Sequence, residues 1–82
     1  MIPSSDVLQV LHLADPHPLP EMTIRAELGE RRGGRQIGLQ ELADALKRLS
    51  GYRYIVATQS LDGDQVWALT PEGRTEAQKR FR

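Results

Sequence analysis

The stretch VWALTPEGR, Val66 to Arg74, changes character abruptly. A short apolar run with a tryptophan passes through Thr-Pro-Glu-Gly into a charged segment. Val66 to Leu69 has the composition of a half-buried strand. Thr70 can cap a helix through its hydroxyl, and Pro71 fits the first helical position, where the missing N–H costs nothing. The spacing therefore predicts a strand that ends at Leu69 and a helix over PEGRTEAQKRF, with Gly73 near its start and basic residues at its end.

Working backward, YRYIVATQSLDGDQ supplies the partner strand. Tyr52 to Thr58 is rich in aromatic and β-branched residues, and Asp62-Gly63 is a strong hairpin bend. A two-stranded hairpin is not stable alone and must pack on something. The candidate is IGLQELADALKRLSGY, where Leu39, Leu42, Ala43, Leu46 and Leu49 form a helical apolar stripe. Gln40, Glu41, Asp44, Lys47 and Arg48 lie off it, acids early and bases late, as the helix dipole favours. Gly51 is expected to stop this helix.

Two more helices precede it. SSDVLQVLHLAD predicts a helix over residues 5–14, capped by Ser4 or Ser5 and carrying Val7, Leu8, Val10, Leu11 and Leu13. Pro16, Pro18 and Pro20 forbid its continuation. TIRAELGERRGG predicts a second helix, capped by Thr23, with Ile24 and Leu28 on one face. Gly29 weakens it by ~1 kcal/mol relative to alanine, and Gly33-Gly34 ends it. The order is helix, helix, helix, hairpin, helix. That is a mainly helical α+β chain, a winged helix-turn-helix with a β-hairpin wing and a short C-terminal helix. The whole of residues 1–82 reads as one small domain.

Bulk properties narrow the function. The chain has 82 residues, 39% hydrophobic and 27% charged, with no cysteine. Disulfides and thiolate metal sites are thus excluded, and a reducing, cytoplasmic setting is the default reading. No apolar run reaches a membrane span and no basic region precedes the first apolar stretch, so neither membrane nor signal peptide is expected. Eleven basic and eleven acidic residues give zero net charge, whereas a dedicated nucleic-acid binder usually shows a basic surplus or a basic face.

LQELADALKRLSGYRYIVATQSLDGDQVWALTPEGR resembles the recognition-helix, wing and exit-helix stretch of bacterial winged-helix transcriptional regulators of the MarR and PadR type. The matching residues are Gly51-Tyr52, Ile55 and Trp67 to Arg74, and the likeness runs over residues 36–80. It implies a DNA-binding protein whose third helix enters the major groove, with the wing, Gln59 to Gln65, along the backbone or minor groove. On that reading Gln36, Gln40 and Asp44 face base edges, and amide side chains suit that role. Arg35, Lys47 and Arg48 would hold phosphates, as would Arg31 and Arg32 of RRGGR, whose glycines let backbone amides approach an anion. A homodimer would be the DNA-binding form; dimers of the family are typically built by longer flanking helices.

The chain departs from the family pattern at the wing tip, where Asp62 and Asp64 replace the usual basic residues. Acids facing phosphates repel, and Glu41 and Asp44 add two more near the front of the third helix. The alternative function is therefore a winged-helix protein-interaction module that docks a protein partner and not double-stranded DNA. Other features have plainer readings. RRGGR can be a solvated helix end, and it lacks the Gly-Lys-Ser/Thr of a phosphate-binding loop. Arg74, Lys79, Arg80 and Arg82 suit a helix C-terminus. Trp67 is expected in the core against the third helix, and Tyr54 partly exposed. His12, Asp15 and His17 have no fixed spacing for a metal, and no triad setting supports catalysis. Neither an enzyme nor a cofactor is expected.

Overall fold

The computed structural model describes residues 2–81. Along them run α1 (Ser4–Ala14), β1 (Leu19–Pro20), α2 (Glu21–Arg31), α3 (Leu39–Gly51), β2 (Ile55–Gln59), β3 (Gln65–Leu69) and α4 (Pro71–Arg80). The expected helices and hairpin are present, and β1 is an addition. It pairs antiparallel with β3, Leu19 opposite Trp67 and Pro20 opposite Val66, giving a three-stranded sheet in the order β1-β3-β2. Proline is tolerated there because β1 is an edge strand. Nothing local in PHPLPEM signals a strand; the pairing is made by a segment far along the chain.

α1 is the hub of the core. Its Val7, Leu8, Val10 and Leu11 are buried, and it packs against α2, α3, α4 and β3. Leu13, expected on the same face, is 68% exposed. Ile2, Ile24, Leu28, Ile37, Leu42 and Ile55 complete the centre. A fully buried aliphatic side chain of this kind contributes about 1.5–3 kcal/mol. Cap positions differ from expectation. α1 starts at Ser4 behind Pro3, and α2 starts at Glu21 behind Pro20, neither with a side-chain cap. Thr23 is therefore inside α2, because the chain leaves β1 directly into the helix.

α3 buries Leu42, Ala45, Leu46 and Leu49. Two members of the expected stripe, Leu39 and Ala43, are exposed, Leu39 to 58%. Leu39 is the first helical residue and lies ahead of the packed part of the helix, while Ala45 takes the inward position. Gly51 is the last residue of α3 and not its left-handed stop. That conformation falls on Arg53, with φ 64°, and Tyr54 N–H donates to the Leu49 carbonyl to close the helix end.

The hairpin turns through Leu61-Asp62-Gly63. Gly63 is left-handed at φ 86°, Gly63 N–H donates to Ser60 O, and Ser60 N–H donates to Asp64 O. This is the three-residue turn with glycine at its left-handed position. At the far end of β3 the Thr-Pro-Glu-Gly-Arg sequence resolves residue by residue. Thr70 Oγ1 accepts from Gly73 N–H at 3.0 Å and donates to the Arg53 carbonyl. Pro71 opens α4. Gly73 is buried against the Tyr54 carbonyl, so close that a Cβ would overlap it. Arg74 Nε donates to Asp15 Oδ2 at 2.8 Å and ties α4 to the end of α1.

Candidate nucleic-acid interface

The turn between α2 and α3 is held rigidly. Gly33 and Gly34 are left-handed, at φ 76° and 85°, and Gly34 N–H returns to the Gly29 carbonyl. Gly29, unfavourable in a helix by propensity alone, lies inside α2 and is buried there. A Cβ on it would lie 2.6 Å from the Arg35 carbonyl oxygen, so glycine lets the loop approach the helix. Arg25 Nε donates to the Ile37 carbonyl at 2.6 Å, and Ile37 is buried. Between these anchors Arg35 and Gln36 are exposed. Gln36 stands in this loop, ahead of the Gly38 cap, and not on α3 itself.

α3 then presents Gln40, Glu41, Ala43, Asp44 and Lys47 to solvent. Gln40 Nε2 donates to Asp44 Oδ1 at 2.9 Å, an i,i+4 pair that fixes the amide. One amide hydrogen and the carbonyl oxygen of Gln40 remain free, the pattern that matches an adenine edge. The α3 cap is Gly38, with no side-chain hydrogen bond to the first turn.

The expected basic residues divide into two sets. Arg31 donates to Gln9 Oε1 at 2.7 Å, and Arg32 reaches Asp6 Oδ2 at 3.4 Å, so both engage α1. Arg48 donates to Ser4 Oγ at 2.9 Å and to the Ile2 carbonyl at 3.0 Å, holding the N-terminal segment. Arg35 and Lys47 are exposed with no polar partner among the described residues. The loop and the exposed face of α3 thus combine two unpaired cations, Arg35 and Lys47, with two acids, Glu41 and Asp44. Asp62 and Asp64 are exposed at the wing tip, beside a fully exposed Leu61.

Trp67, expected in the core against the third helix, is only half-buried: it packs at the edge of the core and lines an open cleft with Ala43, Leu46, Lys47 and Ser50 of α3. Its Nε1 is buried without an acceptor. Tyr54 is partly buried and stacks on the exposed Tyr52. His12 lies against the Phe81 ring; among the described residues no group of three metal-ligating side chains converges. No described helix is long and apolar enough to cross a membrane. Arg74 is paired with Asp15 and Arg80 with Glu76, Lys79 is exposed, and Arg82 lies outside the described residues.

No protein-family model matches the sequence, and no curated protein is similar enough to count as a relative. Solved structures do match. H. salinarum RosR superposes with a TM-score of 0.80 at 21% identity over 94% of this chain. A mutant of Lactococcus lactis ZitR in apo form gives 0.76 at 18% over 94%. The PcaV transcriptional regulator from Streptomyces coelicolor, in complex with its natural ligand, gives 0.68 at 24% over 98%. The chain spans 66%, 52% and 51% of the length of these three. At such identities the likeness is one of fold, and it agrees with the helix order, the loop and the hairpin described above. The chain is a winged helix-turn-helix domain.

Proposed function

We propose that this domain is a DNA-binding transcriptional regulator that sets α3 into the major groove of double-stranded DNA. The observation that carries the reading is the uncovered face of α3, continuous with a rigid loop that exposes Arg35 and Gln36. Gln40, held by Asp44, is the principal base reader, with Gln36 beside it. Arg35 and Lys47 supply phosphate contacts. Arg31, Arg32 and Arg48, each hydrogen-bonded within the domain, add charge at its margin. The match to a protein described as a transcriptional regulator supports the same reading, as do the residues shared with the MarR and PadR type from bacterial cytoplasm. On this proposal residues 1–82 act as one unit and bind DNA as a homodimer.

The test is an anisotropy titration of labelled mixed-sequence duplex at low salt. Arg35→Ala and Lys47→Ala should each weaken binding, and Lys79→Ala, on α4, should leave it unchanged. Equal affinity for all three would remove the reading. A second function is favoured by one observation. The exposed acids at the wing tip and on α3 balance the free cations, which suits docking of a protein surface better than a phosphate backbone. Binding of no duplex at low salt would select it.

A further inference from the structure

We infer that the free edge of β2 is a self-association surface, paired antiparallel with β2 of a second copy of this chain. Sheet order leaves β2 at the edge. Thr70 N–H bonds the Tyr54 carbonyl, and Ser60 N–H bonds the Asp64 carbonyl. With Val56 opposite Ala68 and Thr58 opposite Val66, alternation spends the backbone groups of Val56 and Thr58 on β3. Those of Ala57 and Gln59 turn outward. Ile55 is buried, so the open edge runs from Val56 to Gln59. It has no charge, no proline and no bulge, the features that normally protect an edge.

The ends of the strand choose the occupant and its direction. Arg53 precedes β2, and Asp62 and Asp64 follow it at the hairpin tip, all exposed. Antiparallel pairing of two copies around Thr58 sets Ala57 against Gln59 of the second copy, so that their free N–H and carbonyl groups meet. Antiparallel pairing also carries the Arg53 end of each strand toward the hairpin tip of the second copy, where Asp62 and Asp64 are exposed. Parallel pairing would oppose like charges instead. Thr58 meets its own equivalent, a favourable cross-strand pair. The wing-tip acids, which repel phosphates, thereby gain a cationic partner. The inference does not depend on DNA binding.

Sedimentation velocity between about 10 µM and about 1 mM tests it. The chain should dimerise reversibly. Ala57→Pro should abolish the dimer without disturbing the fold, because the N–H it removes faces away from β3. Asp62→Lys with Asp64→Lys should weaken the dimer by about tenfold or more, and adding Arg53→Asp should restore it. In a chain without cysteine, Thr58→Cys should give a disulfide dimer under mild oxidation, since paired Cα atoms at such a site lie about 4.5 Å apart. Gln78→Cys, exposed on α4, should not. A wild-type chain that stays monomeric throughout overturns the inference. So does a dimer that resists both Ala57→Pro and the charge reversal. Should Ala57→Pro unfold by circular dichroism, reversal and rescue decide.

Discussion

Replacing Gly73 with alanine tests the junction between wing and last helix, because helix propensity and packing predict opposite signs. Gly73 sits in the first turn of α4, where alanine ordinarily stabilises by up to about 1 kcal/mol. Its added Cβ, however, would overlap the Tyr54 carbonyl, which is backbone and already bonded to Thr70 N–H. Relief requires moving β2 or unseating the Thr70 cap. Overpacking against an obstacle that cannot rotate away costs about 3 kcal/mol, the upper part of the usual range. The net effect is a loss of about 2 kcal/mol, which for a domain of this size lowers Tm by about 10 °C. Thermal unfolding followed by circular dichroism measures it directly. Gly51→Ala is the control. Gly51 ends α3 with nothing within 4 Å of an added Cβ, so that variant should hold or raise Tm. A Gly73→Ala protein as stable as wild type would refute the packing of α4 on the Tyr54 backbone.

Leu46→Ala should cost about 2–5 kcal/mol, since Leu46 is 3% exposed in the core face of α3; Leu39→Ala, at a 58% exposed site, should change Tm little. Thr70→Ala should cost about 1–2 kcal/mol in urea unfolding by losing the cap and the bond to Arg53, and Thr70→Ser should recover most of it. The hydrogen bond from Arg74 holds the Asp15 carboxyl below its ordinary value of 3.8, against the opposing effect of desolvation. The folded chain then keeps that charge to lower pH than the unfolded chain, so the contribution is complete above 3.8 and fades as pH falls through the folded value. Asp15→Asn should therefore lower Tm slightly at neutral pH, and the difference from wild type should close in acid.

Much of this fold is legible in short stretches because its signals are local chemistry. Asp62-Gly63 needs only its own backbone to turn, and Thr70-Pro71 needs only the helix it starts. What stayed hidden depends on distant partners. β1 exists because Leu19 meets Trp67. Gly29 survives inside α2 because the Arg35 carbonyl approaches it, which no count of helix propensities can reveal. The stripe of α3 could be traced through Ala43 or Ala45 at the same period, and only packing on α1 and the sheet selects Ala45. The candidate site follows the same division. Gln40, Asp44 and Lys47 are exposed because they lie opposite the leucines of α3. The density of RRGGR does not reveal that Arg31 and Arg32 turn toward Gln9 and Asp6, while Arg35 is left free.

Whether the loop and α3 form a duplex-DNA surface, with Arg35 and Lys47 on phosphates, is decided by the salt dependence of duplex binding. Two phosphate contacts per domain, four in the homodimer, predict a slope of about −4 in log affinity against log salt. Arg35→Ala and Lys47→Ala, each removing two contacts per dimer, should each reduce that slope by about 2. Gln40→Ala should instead relax base preference and leave the slope alone. Absence of binding to mixed-sequence duplex at low salt, or a slope that neither cation alters, would show that this surface does not hold DNA.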